Sequence, residues 1–265
     1  MKRLLITVLA LAALTLPGAA QGTANELTYD FQTRTSIGAN WKLAKGLHVE
    51  AEYEMRTRGT FSAIGRHTGT LGVTYKFPFG LKTGLSYSYL YHNGTKKGWN
   101  PRHRISAELG YTYKAGYWNL SVRETFRWTH KTESLNPYQE NADPLVLKTR
   151  LKATYKGWKP VEPYIFAEAR NVFNDPNVNA TWSTSSQRYG NYSFGGYGDT
   201  YFNRFRAGIG VEWKLSKRHS LDFYTMADYC YDKNLDVSKD GTELKSLTWD
   251  RSLNTIVGVG YVFSF

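Results

Sequence analysis

Ionisable side chains recur at alternate positions along much of this chain, and that spacing limits the chemistry they can do. Glu50, Glu52 and Glu54 run into Arg56 and Arg58, Arg102 and Arg104 precede Glu108, and Arg123 and Arg127 flank Thr125. Lys148, Arg150 and Lys152 alternate in the same way, as do Glu168 with Arg170 and Arg204 with Arg206. Asp30, Arg34, Glu162, Glu212, Asp222 and Asp228 share the phase of their neighbours. Residues two apart on a strand project to one face, so each group forms a charged row. Rows on adjacent strands can pair, and an excess of basic groups around a wet constriction favours anions. The residues expected to meet an ion or ligand are therefore Glu50, Glu52, Glu54, Arg56, Arg104, Arg123, Arg127, Arg150, Glu168, Arg170, Arg204 and Arg206, with small anions as the class. The same rows also fit a cross-strand ion-pair network that fills and stiffens an interior, because unpaired buried charges cost several kcal/mol.

The elements that carry these rows are strands. From Leu253 to Phe265, Leu253, Thr255, Val257, Val259, Tyr261, Phe263 and Phe265 share one face, against Asn254, Ile256, Gly258, Gly260, Val262 and Ser264. Leu221, Phe223, Ala227, Tyr229 and Tyr231 repeat the apolar face, as do Phe205, Ala207, Ile209, Val211 and Trp213, and near the start Leu47, Val49, Ala51, Tyr53 and Met55. Further stretches run from about residues 29 to 43, 66 to 77, 81 to 92, 102 to 113, 118 to 128, 145 to 155 and 161 to 173. That makes roughly eleven strands, most of about 10 to 14 residues, against ~5–6 in ordinary sheets. A tilted strand needs ~9–11 residues to cross a bilayer.

Turns and aromatics agree. Short connections (44–46, 78–80, 115–116, 157–160, 216–218) alternate with long polar ones at about 131–144, 174–200 and 233–251. Short turns on one side and long loops on the other are the pattern of outer-membrane barrels. Trp41, Tyr75, Phe77, Tyr113, Trp118, Tyr155 and Trp213 lie beside the short turns, and Tyr29, Phe31, Tyr89, Tyr91, Phe126, Trp128 and Tyr231 near the opposite ends. Two such belts suit the two membrane–water interfaces. The expected fold is all-β, a single antiparallel transmembrane β-barrel of about 10–12 strands over residues 21–265.

Ahead of it, Met1-Lys2-Arg3, an apolar run from Leu4 to Leu16 and Pro17-Gly18-Ala19-Ala20 have the pattern of a signal peptide, residues 1–20. Its removal lowers the formal charge from +12 to +10, and export argues against nucleic acid as the basic chain's partner. A mean hydropathy of −0.50 excludes a polytopic helical membrane protein, and 20 Tyr, 13 Phe and 8 Trp argue against disorder. Two details sit awkwardly. Eleven strands is odd where bacterial barrels are usually even, so either Gln21–Glu26 passes through or around the barrel or a strand is split or merged. Glu124 also falls on the apolar face, and a bulge near Arg123 would turn it inward.

Catalytic and metal constellations are weak. Cys230 is the single cysteine, which excludes a disulfide scaffold or multi-cysteine metal site. His48, His67, His92, His103, His130 and His219 show no repeated ligand spacing. Asp236, Asp240 and Glu243 read as a solvated acidic loop. His92-Asn93-Gly94 before Trp99-Asn100 weakly resembles the active-site region of outer-membrane phospholipase A, yet no serine follows His92 before Asn100, so the nucleophile is missing. Omptin-like proteolysis needs a His–Asp dyad, and Asp232, Asp236 and Asp240 have no nearby histidine in sequence. Neither enzyme activity, metal nor cofactor is expected.

Arg102-His103-Arg104, Arg123 to Arg127, Pro163 to Glu168, Phe205 to Trp213 and Asn254 to Phe265, in that order, resemble an uncharacterised family of Gram-negative outer-membrane barrel proteins of unknown function. The resemblance implies a barrel in the cell outer membrane and transfers no substrate or catalytic residue. The ending Tyr261-Val262-Phe263-Ser264-Phe265 is similar to the signal read by the outer-membrane assembly machinery, which joins outer-membrane lipid as an expected partner. The functional expectation is a narrow, weakly anion-preferring channel or a plugged structural barrel. The alternatives are an outer-membrane hydrolase of lipase or protease type with an exterior-rim active site, and a surface binding protein acting through long extracellular loops.

Overall fold

Eleven strands follow one another in the computed structural model, which describes residues 23–94 and 98–265; the expected signal peptide, residues 1–20, lies outside them. They are β1 (Thr23–Ala44), β2 (Leu47–Arg58), β3 (Ala63–Lys76), β4 (Leu81–Gly94), β5 (Gly98–Ala115), β6 (Trp118–Lys131), β7 (Leu145–Tyr155), β8 (Val161–Ser183), β9 (Arg188–Lys214), β10 (His219–Val237) and β11 (Leu244–Ser264). Each pairs with the next, and β1 closes the ring on β11.

The closing seam resolves the odd count. Neighbours in sequence pair antiparallel, while β1 and β11 run parallel, in register from Leu27↔Arg251 to Asn40↔Ser264. No strand is split or merged, and no segment is needed to return β1 to the other end. The barrel is antiparallel except at this one seam. At the short-turn rim a hydrogen bond joins each turn to the following hairpin: Lys76 N–H donates to Gly46 O (2.8 Å), Thr112 to Gly80 (2.9 Å), Lys156 to Tyr117 (2.7 Å), Lys214 to Pro160 (3.0 Å) and Ser264 to Arg218 (2.7 Å). Phe265 N–H completes the circle on Asn40 O at 2.9 Å. Gly46 and Gly80 hold φ of +81° and +96°, and a Cβ there would meet the next strand's carbonyl at 2.6 and 2.5 Å. Glycine is required at both turns by conformation and by space.

The outer wall is greasy at mid-height. Ile37, Leu71, Leu85, Leu109, Leu151, Ile165, Ile209 and Val257 are exposed there, with Tyr75, Tyr113, Trp118 and Trp213 towards the short turns and Tyr89, Tyr91, Phe126 and Trp128 towards the other rim. A continuous apolar belt on a closed barrel with a charged interior is stable only when hydrocarbon surrounds it. Tyr231 leaves the expected upper belt and stacks on Trp249 at 4.5 Å. No register shift interrupts β6, so the bulge expected near Arg123 is absent. Glu124 stays on the outer face and accepts a hydrogen bond from Thr149 Oγ1 at 2.8 Å.

Inside, one wall is apolar. Tyr164, Phe166, Met226 and Ile256 cluster with Tyr224 packed beside them. The rings lie over Gly208, Gly210 and Gly258 of neighbouring strands, where an added Cβ would overlap Phe166, Tyr164 and Tyr224 respectively. The small-residue face of β9 and β11 is therefore the bed on which these aromatics lie.

Two expected loops are mostly strand. The segments at about 174–200 and 233–251 extend β8 with β9 and β10 with β11 beyond the membrane, leaving short tips. Register shifts between Arg170 and Thr181 break the period-two pattern that would have revealed β8 and β9. The β9–β10 pairing stops at Arg204↔Cys230. Above it the two hairpins pack together through Leu235, Val237, Leu244 and Leu247 against Val178, Ala180, Tyr189 and Tyr192. This makes a small exterior lobe with its own core.

Candidate functional site

The lumen encloses a cavity of about 600 Å³, room for on the order of 20 or more waters. All twelve residues expected from the alternation line it. The register explains why: every pair from Arg206↔Glu168 through Glu168↔Arg150 to Arg150↔Arg123 puts inward residues opposite inward residues. Arg66 and Lys82 were not expected. Arg66 lines the cavity, and Lys82 bonds two lumen carboxylates. Both follow turns, where parity with Thr68 and with Gly84 was the only signal.

The charges are paired in three groups. Near the short-turn end, Lys82 Nζ lies 3.6 Å from Glu50 and 3.3 Å from Glu108, and Arg123 is 3.6 Å from Glu108. On β2, Glu54 takes Arg56 in a fork at 2.5 and 3.0 Å and has Arg66 at 3.6 Å. Across the lumen, Glu168 holds Lys148 at 3.1 Å and Arg206 at 2.7 Å, while Asp228 holds Arg206 at 3.0 Å and Arg204 and Arg34 at 3.6 Å. Arg150 lies over the Phe166 ring at 4.1 Å, and Lys152 over Tyr164 at 3.6 Å.

Pairing does not reach neutrality. Among the described residues the cavity lining carries eleven Arg and Lys against six Asp and Glu; with the ion-pair partners behind it, Lys82, Asp228 and Asp232, the balance is twelve against eight, an excess of four positive charges. Arg104, Arg127 and Arg150 belong to none of the ion pairs. Arg104 Nε only donates to Thr129 Oγ1 at 3.0 Å, and Arg127 Nε is buried without a partner.

Residues 132–144 join β6 to β7 at the exterior mouth. Glu133 enters it, its side chain 4% exposed, and pairs with Arg102, which shares the inward phase of Arg104. Thr132 Oγ1 donates to Pro101 O of β5 at 2.7 Å. At the other side Asn136 Nδ2 and Gln139 Nε2 each donate to Val237 O of β10 at 2.9 Å. Val237 belongs to the exterior lobe, whose core also takes Tyr138 of this loop, so the loop ties β5 to the lobe above the mouth, and Arg102 lies outside the cavity lining. Burial alone would raise the Glu133 carboxyl, but the Arg102 hydrogen bond, its own backbone N–H and the Arg102 and Lys131 charges hold it below the usual glutamate range. Nothing in the sequence pattern identified this cap, because its contacts are polar and distant in the chain.

The structure also forms a histidine–aspartate pair at that rim: His130 Nδ1 and Asp143 Oδ1 are 2.8 Å apart. Asp143 is not one of the aspartates expected to seek such a partner. His130 lies on the outer phase of β6 beside Trp128, away from the lumen. Cys230 is buried inward, its Sγ near Asp228.

A family profile described as "Protein of unknown function (DUF2490)" matches residues 31–239. No curated protein matches the chain. Among solved structures, "Copper transporter OprC" is similar at 11% identity and a TM-score of 0.30, over 86% of this chain and 42% of that one. The siderophore receptor PirA from Pseudomonas aeruginosa is similar at 12% identity and a TM-score of 0.22, over 79% and 48%. The chain thus spans less than half the length of either.

Proposed function

We propose that this chain, which belongs to the DUF2490 family of unknown function, is an outer-membrane barrel acting as a narrow, weakly anion-preferring channel capped at its exterior mouth. The observation that carries the reading is the lumen itself: a cavity of about 600 Å³ with eleven cationic groups against six carboxylates. A low-dielectric wall amplifies such an excess and concentrates anions. The apolar belt between two aromatic rims and the export-signal pattern support the outer membrane as its location, with lipid as the outer partner. The last strand, whose Phe265 ring stacks on Trp41 at 5.1 Å, suits recognition by the assembly machinery before it is buried in the seam.

The second reading, a plugged structural barrel, is favoured by the Glu168–Arg206–Asp228–Arg34 chain of ion pairs. Planar-bilayer recording separates the two. The channel reading expects small conductance with a reversal potential on the anion side in a KCl gradient, and larger conductance when residues 132–144 are replaced by a short linker. Silence in both forms refutes the channel and leaves the structural barrel.

A further inference from the structure

Arginines from facing walls converge in the lumen without enough carboxylate to neutralise them. Arg56 of β2 lies within electrostatic reach of Arg104 of β5 and Arg127 of β6. Arg56 is committed to Glu54 by its two-point fork; Arg104 and Arg127 make no such ion pair, and Glu168, which acts on Arg127 from farther off, is itself held by Lys148 and Arg206. The register pairs Ser106 with Arg127, which makes Arg104 and Arg127 diagonal neighbours on one face, close enough for long side chains to meet at one object.

From this convergence we infer that Arg104 and Arg127, backed by Arg56, form a seat for a compact phosphoryl dianion, either inorganic phosphate or a phosphate monoester. The inference rests on the wet, anion-preferring lumen proposed above and adds a ligand class to it. Two guanidinium groups outside any ion pair match two negative charges. Their planar N–H forks fit a tetrahedral oxyanion at two points each, which a halide cannot exploit. Their adjacency suits one compact dianion better than an extended dicarboxylate, whose charges are separated. The wall beside them offers hydroxyls: Thr68, Ser88 and Ser106 are buried, and Thr68 Oγ1 has no partner, while the carboxylates in the same lining, Glu54, Glu108 and Glu168, are already engaged by Arg56, Lys82 and Arg206. Such a surface supplies further donors to an oxyanion.

The test is phosphorus NMR of inorganic phosphate titrated into the full barrel in detergent at low salt, which reads binding whether or not the pore conducts. Saturable line broadening is expected for the native chain. Arg104→Gln and Arg127→Gln should each weaken it about tenfold or more, the loss of one charge-assisted contact, while the exposed Lys239→Gln leaves it unchanged. Arg127→Lys keeps the charge but not the fork and should also weaken binding, which covers the case in which a glutamine variant fails to show the heat-shifted electrophoretic band of a folded barrel. Displacement by glycerol 3-phosphate assigns the seat to monoesters, and failure to displace assigns it to inorganic phosphate. Absence of saturable binding, binding unchanged in Arg104→Gln and Arg127→Gln, or equal displacement by succinate overturns the inference. Phosphate binding in a barrel silent towards chloride leaves the seat standing and removes the channel.

Discussion

Asp228→Asn is the sharpest probe of how the lumen is held together. The carboxylate side chain is 3% exposed and faces Arg206 at 3.0 Å and Arg204 and Arg34 at 3.6 Å. A pair of unit charges at such a separation attracts by about 5 kcal/mol at an effective dielectric near 20, before desolvation is subtracted. The amide keeps the shape and removes the charge, so Arg34 and Arg206, 8% and 10% exposed, are left buried beside a neutral group. Breaking a buried pair costs ~3–5 kcal/mol. Arg206 still has Glu168 at 2.7 Å, which places the expected loss near the lower end, about 3 kcal/mol, roughly a hundredfold in the folding equilibrium. The assay is reversible denaturant unfolding in lipid vesicles, followed by tryptophan fluorescence. Glu140→Gln, which removes the half-exposed carboxylate that pairs with Lys131, is the comparison and should cost below ~1 kcal/mol. If Asp228→Asn costs no more than Glu140→Gln, the lumen pairs are solvated and the argument from burial fails.

Two further outcomes follow from the same geometry. Because the Glu133 carboxyl is held below its ordinary value near 4.5, its latch on Arg102 is complete above that pH and is lost as pH falls through the lower folded value; exterior acidification below pH 4.5 should increase conductance, and Glu133→Gln should give that increase at neutral pH, whereas an unchanged current in the variant refutes the latch. The parallel seam puts the start of β1 on the long-hairpin side, so an impermeant maleimide should label Asn25→Cys from the same side as Ser185→Cys and opposite to Lys45→Cys, with buried Cys230 unlabelled in all three; labelling of Asn25→Cys with Lys45→Cys would contradict the eleven-strand ring.

Legibility varied with the kind of signal. The twelve lumen residues could be read because period-two alternation is local: Glu50, Glu52 and Glu54 announce a common face without reference to any other strand. Arg66 and Lys82 escaped because a strand's phase is least certain beside a turn. The exterior lobe escaped because bulges between Arg170 and Thr181 reset the alternation, so Val178 and Ala180 read as loop residues although they pack on Leu235 and Leu247. Glu124 shows the opposite case, an unattractive placement that the alternation required and that the structure keeps, with Thr149 as its partner.

The amino-acid order alone determined that the chain forms strands long enough to cross a bilayer and which side chains of each strand turn towards hydrocarbon. Alternation is a property of neighbours in the chain, so it needs no knowledge of the ring. Only the closed tertiary structure decided that β1 meets β11 in parallel, that residues 132–144 tie β5 to the exterior lobe, and which charges of distant strands pair in the lumen. Those relations depend on strand number and stagger around the barrel, and residues far apart in the chain become neighbours only when the last strand finds the first.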